Sequence, residues 1–127
     1  MIFAFMKRPP VGILYCGEYN GYVGFTEDEG TLIDSSMSCH YEKDDVLDNL
    51  IEVHGGITFD ERNIPYEKFV PEVELTECPK SFEGCRIIGF DVCHFDDGPH
   101  HDKEWCKNET MNLRRQIVDL LKNGCNV

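Results

Sequence analysis

Two short stretches carry side chains that can do chemistry. The first is Val53-His54-Gly55-Gly56-Ile57-Thr58-Phe59, and the second is Gly89-Phe90-Asp91-Val92-Cys93-His94-Phe95-Asp96-Asp97. Each puts polar groups at the end of an apolar strand. Asp91 follows a run that is otherwise apolar, and a carboxylate is expensive to bury unless it is paired or hydrogen-bonded. His54 or His94 would supply that partner. Gly55 and Gly56 carry no side chain, so a ligand can approach the backbone there. Backbone N–H groups beside glycines form anion-binding nests. The aromatics Tyr22, Phe25, Phe59 and Phe90 would add a flat apolar platform, worth ~1–3 kcal/mol per stacked base. A pocket of this composition suits a nucleotide-like molecule, held by His54, Gly55, Gly56, Asp91, His94, Tyr22 and Phe59.

The same residues support two other readings. In the structural one, Asp91 caps a turn and the histidines are satisfied by neighbours. In the other, His54, Asp91 and His94 hold a divalent metal ion with one position left open, as a metal-dependent phosphoesterase requires. His100, His101, Asp96 and Asp97 offer further ligands, but no HExxH spacing puts two ligands on one helix face. His100-His101 lies in a Gly/Pro loop and reads as solvated. GxSxG, P-loop and GxGxxG strings are absent. Cys93 and His94 are adjacent, and neighbours on a strand point to opposite faces, which argues against a thiol dyad. Whether the chain is an enzyme stays open at this point.

Charge and cysteines narrow the classes. Twelve Lys+Arg stand against 24 Asp+Glu in 127 residues, a net charge of −12. Nucleic-acid polymers are bound through Lys and Arg on phosphates, so no such partner is expected. An acidic surface that inhibits a host protein by direct binding is a third class of function. The seven cysteines are odd in number and form no CxxC, so reduced thiols, several in the core, are the expectation. Cys78, Cys85, Cys93, His94 and Cys106 have spacings that match no standard zinc motif.

The elements that must position these groups follow from pattern. Residues 11–17 and 21–26 read as two strands of a hairpin turning at Asn20-Gly21. Residues 27–45 are a polar excursion, with a helical turn at 43–49. Strand character resumes at 50–54 and at 57–59, and the Gly pair between implies a bulge or turn. Residues 60–68 read as a polar loop, and 69–75 as an edge strand or extended loop because of Pro71. Residues 86–92 are nearly all apolar, as in a central strand. From 103 to 122, Cys106, Thr110, Leu113, Ile117 and Leu120/Leu121 recur at helical spacing, with Asp102 as N-cap and Gly124 after the end. The 41% hydrophobic content suffices for a core. Residues 1–127 are therefore expected to form a single α+β domain, an antiparallel sheet of four to five strands packed against a C-terminal helix. The apolar opening Met1–Met6 is too short for a membrane span of ~20 residues and lacks the order of a secretory signal. A soluble, cytoplasmic protein is expected, with no membrane partner.

Gly21-Tyr22-Val23-Gly24, Val53-His54-Gly55-Gly56-Ile57-Thr58-Phe59, Gly89-Phe90-Asp91, His94 and Asp97 resemble a family of small uncharacterised proteins encoded by phages and prophages. Its members carry Val-His-Gly-Gly-Leu-Thr and Gly-Phe-Asp-Cys-Ala-His segments in this order and end in a helix. The family's Cys directly follows the Asp, whereas Val92 stands there in this chain and Cys93 comes one later. The resemblance spans about residues 20–121. It implies a phage origin and an accessory role in the infected host cell. With the residues above, the expectation is a phage protein that evades host defence by sequestering a small nucleotide-like signal, in a pocket that a homodimer could complete.

Overall fold

In the computed structural model, which describes residues 1–9, 16–30, 51–93, 98 and 100–123, alternation along the strands sorts the apolar side chains onto two faces of one sheet. The strands are β1 (Phe3–Lys7), β2 (Asn20–Thr26), β3 (Phe59–Arg62), β4 (Val73–Glu74) and β5 (Cys85–Phe90). They form an antiparallel sheet in the order β3-β5-β2-β1-β4. Helix α1 (Lys103–Asn123) covers one face. The fold is thus α+β, as the pattern implies.

On the helix side, Ala4 and Met6 of β1, Val23 and Phe25 of β2, and Ile88 and Phe90 of β5 pack with Leu113 and Ile117 of α1. The apolar stripe of α1 is the expected one, and Cys106, Thr110, Leu113 and Ile117 are all fully buried. Asp102 caps the helix, its Oδ1 accepting the Trp105 N–H at 2.9 Å. The helix lies close on β2, and a Cβ at Gly21 would collide with Thr110 Oγ1 and the Phe90 ring. Buried Arg86 forms a two-bond pair with Asp60 of β3 (2.9 and 2.7 Å) and lies over the Phe25 ring.

The other face is a second core made of rings. Phe3, Phe5, Tyr22 and Ile87 project there, and the connection between β3 and β5 folds back over them with Phe69, Phe82 and a 3₁₀ turn at Tyr66–Lys68. Phe82 stacks on Phe3 and Phe5, each at 5.8 Å between ring centres. This cover explains why β2 and β5 are buried along nearly their whole length.

Three sequence expectations need correction. β2 takes its two neighbours from β1 and β5 rather than from the expected hairpin partner at 11–17. Residues 11–15 lie outside the described residues. Asn20 and Gly21 are strand residues opposite Lys7 and Met6, and the Asn20 amide oxygen accepts the Val92 N–H at 3.0 Å. Residues 51–54 make no strand, and 59–62, expected as loop beyond Phe59, does. The 73–74 edge strand and the helix stand as expected. The helical turn placed at 43–49 and the stop at Gly124 lie outside the described residues. Among the described residues, no helix is long and apolar enough to cross a membrane.

Candidate functional site

A polar stripe on α1 positions His54. Trp105, Glu109, Asn112 and Gln116 follow one another at steps of four, three and four, so they share one side of the helix. Residues 51–54 lie along that side. The Gln116 side-chain amide makes two bonds to Glu52, accepting its N–H at 2.9 Å and donating to its carbonyl at 2.7 Å. Asn112 Nδ2 donates to the same carbonyl at 3.4 Å. Glu109 Oε2 accepts the His54 N–H at 3.1 Å. Side-chain amides here do the work of a neighbouring strand. Ile51 and Val53 turn inward to the core.

The chain then turns sharply. Gly55 and Gly56 have φ of +70° and +79°, a left-handed region that glycine enters without a Cβ penalty. The Gly56 N–H closes the turn on the Val53 carbonyl at 2.8 Å. Both glycines are exposed, and the space beside Gly56 is open, with no atom within 4 Å of where a Cβ would stand.

His54, half-buried, packs into a group of rings at the amino end of α1. Its ring centre is 4.9 Å from that of His101 and 5.0 Å from Trp105, which it meets edge to face. His101 is 4.2 Å from Trp105 and 4.0 Å from His100. Three imidazoles and an indole thus meet beside an exposed Gly-Gly turn. His101 is only 8% exposed, so the reading of His100-His101 as merely solvated is wrong for His101, while His100 is exposed. Trp105, Glu109 and His101 lie four residues apart, a spacing legible in the sequence, but the apolar stripe of the helix was the stronger signal.

The other residues singled out from the sequence lie elsewhere. Tyr22 and Phe59 meet edge to face at 5.3 Å in the ring core beyond the sheet. Tyr22 is buried there, and burial first, with the charge of Asp91 adding to it, pushes its phenol above the ordinary value despite a hydrogen bond with Asn20. Phe25 and Phe90 belong to the opposite, helix-side core, so the four aromatics do not make one platform. Asp91 follows the end of β5, and its Oδ1 accepts the Cys93 N–H at 3.1 Å, a turn-capping bond. His94, Asp96 and Asp97 lie outside the described residues. The structure therefore brings His54, Gly55 and Gly56 together with His100, His101 and Trp105, and places Tyr22 and Phe59 on the far side of the sheet. Among the described residues, no three His, Cys, Asp or Glu side chains are arranged to hold a metal ion, the clustered imidazoles included.

The cysteines also depart from expectation. Cys16 and Cys93 form a disulfide, where reduced thiols were expected. Its physical basis is proximity: Gly17 bonds through its N–H to the Val92 carbonyl at 2.8 Å, which sets the two chain segments side by side. The zinc grouping dissolves with it, because Cys78 and Cys85 lie in the ring core and Cys106 in the helix-side core. Burial pushes the Cys78 thiol up to about 11, with the Glu74 charge adding to it, and raises Cys85 and Cys106 as well. Iodoacetamide at about pH 8, where an ordinary thiol of pKa about 8.5 reacts, should leave all three unlabelled in the folded protein. Mass spectrometry after quenching checks this, and rapid labelling of any of them would show that its core opens.

Comparison with family models, with curated proteins and with solved structures finds no match for this chain.

Proposed function

We propose that the chain binds and sequesters a small nucleotide-like ligand at the His54-Gly55-Gly56 turn and the amino end of α1, as an accessory protein of a phage in its host cell. The observation that carries this reading is the meeting of His54, His100, His101 and Trp105 beside two exposed glycines. An indole and imidazoles offer ring faces and edges for a base. Imidazole N–H groups donate to phosphate or ribose, more strongly once protonated. The first turn of a helix adds a partial positive charge. Exposed glycines let a phosphate come close to backbone. The −12 net charge works against an anion at long range, but exposed charges are mostly screened beyond ~8–10 Å, so local donors decide.

Thermal melts with a panel of linear and cyclic nucleotides test this. Ligand at 100 times Kd adds about 2.7 kcal/mol, on the order of 10 °C for a domain of this size. His54→Ala removes one donor and should weaken binding roughly tenfold, the worth of one hydrogen bond to a charged group. Trp105→Ala should weaken it comparably, and heat denaturation of the complex should release the nucleotide intact. No melt shift with any member of the panel, or a shift that both variants retain in full, removes the basis of the reading.

A further inference from the structure

The Cys16–Cys93 disulfide joins segments 77 residues apart, and Cys16 is covalently next to the residue on which His101 packs. Cys16 precedes Gly17, whose backbone is pressed between two side chains: a Cβ there would stand 2.8 Å from the Cβ of His101 and 2.8 Å from that of Val92. The next residue, Glu18, donates its N–H to the His101 carbonyl at 2.9 Å, and its carboxylate accepts the Lys103 N–H at 2.9 Å. On the other strand of the link, Cys93 follows Val92 and is held by the Asp91 turn. Residues 16–18 are thus the wall on which His101 rests, and His101 in turn touches Trp105 and His54. Every step from the disulfide to the rings is a direct contact.

Cys16 and Cys93 are each half-buried, whereas Cys78, Cys85 and Cys106 are buried. The disulfide thus joins two residues that are only partly buried, which a reductant can approach.

We propose that this disulfide is a redox latch on the ring group: closed, it seats His101 against Trp105 and His54, and opened, it releases residues 16–18 and with them His101. As a control on ligand capture, this rests on the reading of that group as the binding site. The reductant is a dithiol, small or protein-borne. One of its thiolates attacks a sulfur of the pair, the S–S bond breaks, and the other cysteine leaves as thiolate and takes up a proton. The second thiolate of the reductant then attacks the reductant's own sulfur in the mixed disulfide, closing the reductant's S–S bond and expelling the attacked cysteine as a thiolate that takes up a proton. Two electrons and two protons pass to the protein, leaving two cysteine thiols and an oxidised reductant.

Trp105 is the single tryptophan of the chain, so its fluorescence reports on this site without any ligand. Treating the folded protein with dithiothreitol should free two thiols for alkylation, leave far-UV circular dichroism in place and shift Trp105 emission to longer wavelength as the indole loses its ring contacts. Cys16→Ser/Cys93→Ser should show the shifted emission with or without reductant. Gly17→Ala, with its disulfide intact, should move the emission the same way by displacing His101. Two freed thiols with unchanged Trp105 emission, or loss of the helical and sheet signal together with the disulfide, would overturn the latch. A latch that responds in this way while no nucleotide shifts the melt would leave it standing and overturn the ligand reading alone.

Discussion

Reducing Cys16–Cys93, or replacing both residues with Ser, is expected to lower unfolding free energy by about 4.5 kcal/mol, from the chain-entropy model for a loop of this length. The loop is long, with a sequence separation of 77 between the two cysteines, and closure entropy grows with the logarithm of that length. The effect acts on the unfolded chain, which without the link explores far more conformations. A domain of this size has roughly 5–15 kcal/mol to lose, so the reduced protein remains folded while melting roughly 15 °C lower. Urea unfolding with and without dithiothreitol measures the difference directly. A change below about 1 kcal/mol would mean that native strain cancels the entropic gain, as it does in some engineered links.

Phe82→Ala is expected to cost about 3–5 kcal/mol, the range for a large ring removed from a packed interior. Phe82 belongs to no strand or helix and sits in the connection between β4 and β5. It is nonetheless 1% exposed, stacked on Phe3 and Phe5 and 5.1 Å from Tyr66. If the connection were only a cover, truncation would leave the sheet intact, and the loss would be a fraction of this. Urea titration against wild type decides it. A cost under about 1 kcal/mol, the usual range for surface changes, would show that the ring core can close over the gap or is dispensable.

Much of this fold is written in local pattern. β5 follows from a nearly unbroken apolar run, which only a strand covered on both faces needs. α1 follows from apolar positions at helical spacing, and its start from the Asp102 carboxylate that accepts the Trp105 N–H. The short pairing at Val73–Glu74 agrees with an edge limited by Pro71. What was not legible is long-range. Phe3–Lys7 has strand composition, but its role depends on a partner some 17 residues away, and nothing local distinguishes it from an apolar tail. Asn20-Gly21 is a turn signal by composition. In the sheet, the Asn20 side chain instead satisfies a backbone donor on β5's extension, and Gly21 clears space for Thr110. The second core was hidden because its aromatics are scattered between Phe3 and Phe82.

The site divides in the same way. His54-Gly55-Gly56 stands out as a string because two adjacent glycines after a histidine break a strand pattern. The partners of His54 do not, since His101 and Trp105 reach it only after the chain has folded back. Asp91 looked costly to bury, and the structure leaves it only partly buried, with its carboxylate accepting the Cys93 N–H. The cysteines carry a similar lesson. Counting gave an odd number, yet pairing is decided by which backbone segments touch, and Gly17 beside Val92 is a contact that no spacing rule contains.

The margins of the sheet have a consequence for assembly. β3 is four residues long and its outer positions are Asp60, Glu61 and Arg62, while β4 has only two residues. Ribbons this brief, one of them studded with ions, give a neighbouring molecule almost no ladder of amides to extend. Among the described residues, neither rim gives a second copy a template for the stacking that builds fibrous deposits, and a copy docking on this sheet would do so broadside, through surfaces.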